Sequence, residues 1–220
     1  MNRVRQEVTD ALIEVGQLYS AGLAAYGTEP ISVGWQDAAS QRFRFAKLAQ
    51  VLSGVEGPIT VNDLGCGYGS LFAHLDEMAG IELAGYHGYD LSESMLERAR
   101  DFTDGRAQLI LASEPTLLAD YSFASGPFNV KRACSHTAWE EYVREALLRL
   151  AEMSRFGFAF NLLTTFVDDK RDNLFYADPC AFFEFCKREI SPAVTLVHDY
   201  PLSEWTMLVY HRVAGSSPPA

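Results

Sequence analysis

The chain has 220 residues, 48% of them hydrophobic and 21% charged, and a formal net charge of −11. Its length and composition are typical of one compact globular domain, and the acidic balance argues against a nucleic-acid partner because phosphate recognition depends on clustered Lys and Arg. No apolar run reaches the length of a membrane span, and the four cysteines contain no C-x-x-C pair, so neither a membrane protein nor a zinc or redox centre is predicted.

The pattern of residues 1–58 predicts a helical extension that precedes the main domain. Two helices are expected, over 4–19 and 36–52, with a turn-rich segment over 27–35 between them. Such an extension is well placed to cover a ligand. Residues 1–20 carry several charges and no continuous apolar stretch, so we expect no secretory signal and a cytoplasmic location.

A glycine-rich turn follows the first predicted strand. Residues 59–61 are a β-branched run, Asp63 precedes Gly65, Gly67 and Gly69, and apolar residues then recur at helical spacing over 70–78. Glycines allow positive φ and a close approach of the backbone to a ligand, and the following helix start offers unpaired N–H groups. The pattern predicts a nucleotide-like ligand, and the carboxylate of Asp63 would suit an ammonium group better than a pyrophosphate.

A second acidic residue follows the next predicted strand. Asp90 ends the strand over 86–90, and Ser92 is a plausible N-cap for the helix after it. Ribose hydroxyls are commonly held by an acidic residue about 20 residues past a glycine turn. Asp90 is therefore the candidate for that role.

The D-x-G-x-G-x-G turn and the stretch D-L-S-E-S-M-L-E-R-A-R, taken together and in this order, resemble the class I S-adenosylmethionine (SAM) dependent methyltransferases. The resemblance implies SAM as cofactor and S-adenosylhomocysteine (SAH) as product. It implies that Asp90 binds the ribose diol and that Leu91 and Met95 flank the adenine. Where the family often has an acidic residue after the third strand, this chain has Ser113 followed by Glu114, either of which could contact the adenine amine. The cofactor turn would be lined by Gly65, Cys66 and Gly67.

The remaining elements alternate in the manner of an α/β domain. Strands are predicted over 108–111, 121–125 and 157–163, with a helix between the last two that begins at a capping box of Thr137 and Glu140. A helix follows Asp178 and Pro179, and strands over 194–198 and 206–210 form an antiparallel pair. We predict a doubly wound, seven-stranded, mostly parallel sheet with an antiparallel last strand, a Rossmann-like methyltransferase fold over 59–213, and a disordered tail over 214–220.

The covering extension supplies further candidates for the site. The carboxylate of SAM needs a cationic partner, for which Arg44 is proposed with Gln41 as its helper. The alternative for Arg44 is a surface residue beside Arg42 and Lys47. Trp35 is either a lid over the methyl group or a hydrophobic staple of the turn.

The acceptor should lie beyond the carboxyl ends of the fourth and fifth strands. His136 is the candidate general base there, with a structural role or no base at all as alternatives. Residues 165–177 form a loop long enough to be a lid. The candidate acceptor-binding residues are Trp35, Asn129, Trp139 and Tyr176.

The predicted function is methyl transfer from SAM to an oxygen or nitrogen atom of a small molecule, such as a secondary metabolite or sugar. One alternative is a SAM-binding regulator without catalytic activity. A less favoured one is a nicotinamide-dependent oxidoreductase, which would need a glycine at the sixth position of the turn, where Ser70 stands. No metal, nucleic-acid or membrane partner is predicted, and a homodimer is one open alternative.

Overall fold

A computed structural model describes residues 3–35 and 37–211. Its helices are α1 Arg3–Tyr26, α2 Ala38–Leu48, α3 Ser70–Asp76, α4 Glu93–Phe102, α5 His136–Glu152 and α6 Pro179–Phe185. Its strands are β1 Gly57–Leu64, β2 Ile81–Asp90, β3 Ala107–Leu111, β4 Ala119–Ser125, β5 Ser154–Thr164, β6 Tyr176–Ala177, β7 Ala193–Val197 and β8 Glu204–Tyr210. The predicted tail over 214–220 and the start of the second helix at Gln36 lie outside the described residues.

The strands form one sheet in the order β3-β2-β1-β4-β5-β8-β7. Neighbours from β3 through β5 are parallel, whereas β8 runs antiparallel to both β5 and β7. The two-residue β6 pairs with the end of β5 and makes an eighth strand. The predicted doubly wound sheet with a reversed last strand is confirmed. The strand β6 is additional to the seven strands that were predicted. The strand order reverses between β1 and β4, which is where ligands bind in open α/β sheets.

Side chains alternate across the sheet and bury both of its faces. On β5, Phe158 and Phe160 enter the core layer that contains α1, α5 and α6, while Ala159 enters the layer that contains α2 and α3. On β8, Met207 and Leu208 divide in the same way. A strand buried on both faces is almost continuously apolar, as both segments are in the sequence. No helix in the described part of the chain is long and apolar enough to cross a membrane.

Two predicted helix limits are wrong. The α1 helix continues to Tyr26 rather than ending near residue 19, and it contains Gly22. A Cβ atom at Gly22 would lie 2.3 Å from the carbonyl oxygen of Ser32, so this glycine allows close packing rather than ending the helix. The α5 helix begins at His136 with Ser135 as N-cap, so Thr137 is already inside the helix and the predicted capping box does not form.

Candidate active site

The glycine turn connects β1 to α3 and is hydrogen-bonded to the carboxyl end of β2. The N–H groups of Gly65 and Cys66 both donate to the carbonyl oxygen of Tyr89, at 2.8 and 3.0 Å. Gly65 has a φ of 75°, and a Cβ atom there would lie 2.7 Å from Cβ of Pro127. Positive φ and this close approach both require glycine. The turn is therefore held tightly against the loop that follows β4.

Asp63 is a buried carboxyl group at the end of β1. Its side chain accepts a short hydrogen bond from the hydroxyl of Tyr86 on the neighbouring strand. Burial raises the pKa of Asp63 to about 7, and the hydrogen bond from Tyr86 only partly opposes this shift. A nearby positive group would stabilise the charged form of this carboxyl.

Asp90 is the second buried carboxyl group, at the end of β2. One of its oxygens accepts from the N–H of Gly67 at 2.9 Å, and the other accepts from the N–H of Ser92 at 2.9 Å. Burial raises the pKa of Asp90, while these backbone donors act in the opposite direction. Asp90 therefore fixes the glycine turn and the start of α4, and it lines the same cavity as Asp63.

This cavity, here called the inner cavity, brings most of the predicted cofactor residues together. It lies between the carboxyl ends of β1, β2 and β4, under α1, with a volume of about 80 Å³. The predicted residues in its lining are Asp63, Gly65, Cys66, Gly67, Asp90, Leu91, Met95, Ser113, Gln41 and Trp35. Gln41 donates through its side-chain amide to the Tyr68 hydroxyl at 3.3 Å and the Ser70 hydroxyl at 3.2 Å. Glu114 is absent from this lining, so Ser113 is the polar residue after β3 that reaches the cavity.

The α1 helix, part of the extension expected to cover a ligand, forms a wall of the inner cavity with residues that the sequence interpretation did not name. Leu12, Val15 and Tyr19 line it, and their helical spacing is the signal that could have identified this face. Burial, with a further contribution from the negative Asp90, raises the pKa of Tyr19 to about 12. The Tyr19 hydroxyl is thus protonated near neutral pH. Other lining residues missed in the sequence include Tyr68, Ser125, Phe128 and Tyr142.

Trp35 packs against the loop after β4. A Cβ atom at Gly126 would lie 2.6 Å from the Trp35 ring, so the ring occupies space that only glycine leaves open. The guanidinium carbon of Arg44 lies 4.0 Å from the centre of the same ring. Arg44 forms a 2.5 Å ion pair with the buried Glu204 and is not part of the cavity lining. The structure therefore places Arg44 behind Trp35 rather than in the cavity.

A larger outer cavity, of about 480 Å³, adjoins the inner one. The two share Tyr19, Val33, Trp35 and Gly126 as a common wall. Asn129 lines the outer cavity, and its side-chain oxygen accepts from the N–H of Leu163 at 3.3 Å. The outer cavity opens between α1, the turn over 27–35 and the loop after β5.

Three predicted acceptor-side residues lie outside both cavities. Trp139 is completely buried and donates to the carbonyl oxygen of Phe128 at 2.8 Å, so the structure places it in the core rather than at either cavity. His136 is more than half exposed in the first turn of α5, beside Phe175 and with its Nε2 atom 3.7 Å from a carboxylate oxygen of Glu140. Tyr176 accepts through its hydroxyl from the N–H of Arg171 at 3.2 Å and so orders the loop.

The chain resembles several known proteins. A family model described as "Methyltransferase domain" matches residues 61–157. A Mycobacterium tuberculosis (strain ATCC 25618 / H37Rv) protein named as a methyltransferase, Rv1506c, is 46% identical over 156 residues, which span 69% of this chain and 93% of that protein.

Solved structures share the fold. The magnesium protoporphyrin IX methyltransferase of Synechocystis PCC 6803 with bound SAH has a TM-score of 0.65 at 10% identity, covering 94% of this chain and 100% of that one. The DhpI–SAH complex has a TM-score of 0.62 at 15% identity, covering 90% of this chain and 96% of that one. At such identities the likeness concerns the fold.

Proposed function

The chain belongs to the class I, SAM-dependent methyltransferases, and we propose that it methylates an oxygen or nitrogen atom of a small molecule bound in the outer cavity. When bound, SAM supplies an electrophilic methyl carbon on a cationic sulfur, and the acceptor's lone pair takes the methyl group as the carbon–sulfur bond breaks and its electron pair stays on sulfur. The contact between the two cavities at Tyr19, Val33, Trp35 and Gly126 is the observation that carries this proposal.

The donor set of the inner cavity fits SAM. We assign the ribose hydroxyls to Asp90 and the ammonium group to Asp63, since both carboxyl groups line this one cavity. We assign Leu91, Met95 and Ser113, which line the same cavity, to the adenine. The Ser125 hydroxyl is buried and has no hydrogen-bond partner among the described residues, although it lines the same cavity. A buried polar group without a partner is expected where a ligand completes the hydrogen bonding.

The size of the inner cavity implies that its cover moves when the cofactor enters. Its volume of about 80 Å³ is well below the roughly 300–1,000 Å³ of typical ligand pockets. The wall that can move is α1, which is joined to α4 by a 2.8 Å hydrogen bond between the hydroxyls of Ser20 and Ser92. Arg132 and Glu14 add a 2.8 Å ion pair between α1 and the loop before α5. Besides these polar links, α1 buries the side chains of Ala11 and Val15, so a shift of α1 would also have to disrupt apolar packing.

The outer cavity can position an acceptor but offers little acid–base chemistry. No His, Asp or Glu occurs among its described lining residues. Tyr19 carries a raised pKa and is therefore a hydrogen-bond donor rather than a base at neutral pH. The role of this cavity is then alignment of the acceptor with the methyl group, which alone contributes substantially to rate. A proton on the acceptor would pass to solvent through the open side.

Calorimetric titration with SAM, SAH and NAD tests the cofactor assignment. We expect SAM and SAH to bind, and the titration with NAD to show no heat of binding. Binding of NAD alone would overturn the proposal. Transfer of labelled methyl groups from SAM to pools of small metabolites then tests the acceptor assignment. If no small metabolite becomes labelled although SAM binds tightly, a regulatory protein would be favoured instead. Labelling confined to nucleic acid or protein would exclude a small acceptor.

A further inference from the structure

The opening of the outer cavity is lined by exposed apolar side chains. Leu18, Tyr26 and Ile31 line it and are 41%, 54% and 55% exposed. Leu163, Val130 and Leu174 continue this apolar surface inward. Single exposed apolar side chains are common, but a group of them around one cavity indicates a binding surface. A bound molecule with an apolar body would remove this surface from water.

Arg171 is the one charged residue in the described lining of the outer cavity. Its side chain has no ion pair among the described residues, although the chain contains 29 acidic residues. The exposed Arg106, by comparison, pairs with Asp76 at 2.5 Å. An unpaired cation beside an apolar surface is suited to an anionic group of a ligand.

The loop that carries Arg171 is hydrogen-bonded to the loop after β4. The carbonyl oxygen of Asn173 accepts from the N–H groups of Lys131 and Arg132, at 3.0 and 3.1 Å. Leu174 forms a β-bridge with Val130 on the loop after β4. The backbone of Arg171 is therefore held at the wall of the cavity, within reach of a ligand bound there.

We infer that the outer cavity binds an apolar carboxylate, with the carboxylate paired to Arg171 and the apolar body against Tyr26, Ile31 and Leu174. The identification of this molecule as the methyl acceptor rests on the proposed function. Its binding to the outer cavity is independent of that function. Planar carboxylates match the guanidinium group in a bidentate manner, which makes them a better partner than a point-like anion. The cavity volume of about 480 Å³ accommodates a molecule of one or two fused rings.

Naphthoate and its uncharged analogue naphthamide, titrated into the full chain with and without SAH, test this inference. We expect Arg171→Gln to weaken naphthoate binding on the order of five- to tenfold and to leave naphthamide binding unchanged. Lys170→Gln is the matched control, because Lys170 is the neighbouring cation on the same loop and does not line the cavity. Ile31→Asp should weaken both probes, and naphthoate more, which locates them at the exposed rim.

Equal affinity of naphthoate for the wild type and Arg171→Gln overturns the inference, as does a failure of naphthoate to bind at millimolar concentration. An equal loss in Lys170→Gln would overturn it too, since the effect would then come from net charge alone. SAH binding is recorded in the same samples and should not change in Arg171→Gln. If the wild type does not bind SAH, the proposed function is contradicted. The affinities of naphthoate and naphthamide for the wild type and Arg171→Gln would still decide whether the cavity binds a carboxylate.

Discussion

Replacing Asp63 by Asn should stabilise the unliganded protein while weakening its binding of SAM. Asp63 is 1% exposed, and its pKa is raised to about 7 by burial. An asparagine oxygen can still accept the hydrogen bond from Tyr86, so the variant removes the charge and keeps the contact. The side chain that we propose binds the ammonium group is thus also one that lowers the stability of the fold.

The magnitude follows from the pKa shift. Raising the pKa of Asp63 from 3.8 to about 7 corresponds to about 4 kcal/mol of lost stability when the group is fully ionised. For an acid with a raised folded pKa, this loss is absent below about pH 3.8 and complete above about pH 7. We expect Asp63→Asn to exceed the wild type by about 2–4 kcal/mol at pH 8, since burying the amide offsets part of the gain. The advantage should shrink progressively towards pH 4.

Urea unfolding at several pH values measures this difference, with Asp169→Asn on the exposed loop as the control for loss of one negative charge. SAH titrations at pH 8 should show affinity reduced roughly ten- to hundredfold in Asp63→Asn, through loss of a charge-assisted hydrogen bond. In the wild type, SAH affinity should fall below pH 7 as the carboxyl must ionise before it binds the ammonium group. A stability difference that does not vary with pH would refute the reasoning.

Three further substitutions test the roles of one residue in the inner cavity and of two predicted site residues that lie outside both cavities. Asp90→Ala should weaken SAH binding by about 1.5–3 kcal/mol for each lost ribose contact, measured by calorimetry against Glu93→Ala as control. His136→Ala should leave methyl transfer from labelled SAM within about twofold of wild type, because the exposed ring lies outside both cavities; a loss near the 10²-fold typical of a catalytic base would restore its assignment. Trp139→Ala should lower the free energy of unfolding by about 3–5 kcal/mol without a matching change in SAH affinity, and unchanged urea midpoints would contradict its core position.

The cofactor side could be predicted from the sequence because its determinants are local. A glycine turn, the carboxyl group before it and the one at the end of the next strand are fixed by neighbouring residues, and parallel strands bring their carboxyl ends together at one edge. Asp63, Gly67 and Asp90 accordingly line the same cavity. The parallel centre of the sheet follows in the same way from the alternation of strand and helix.

The acceptor side could not be predicted in the same way because it is formed by segments distant in sequence. Tyr19 on α1, Trp35 in the turn and Arg171 after β5 meet only once the extension has folded over the sheet. Trp139 illustrates the difficulty, since an aromatic residue in the first turn of a helix can face either the cavity or the core. Its position on α5 is decided by which face of that helix packs on the sheet.

The ion pair between Arg44 and Glu204 changes which residues are expected to bind the cofactor's carboxylate. Burial raises the pKa of Glu204 to about 7, and the adjacent Arg44 opposes that shift. Withdrawing Arg44 towards the cavity would leave a buried carboxylate without its partner, which costs about 3–5 kcal/mol when a buried pair is broken. It would also remove the guanidinium from the Trp35 ring. We therefore expect Arg44 to stay with Glu204 and to support Trp35, and the cofactor carboxylate to be bound by the amide and hydroxyl groups that already line the cavity, those of Gln41, Tyr68 and Ser70.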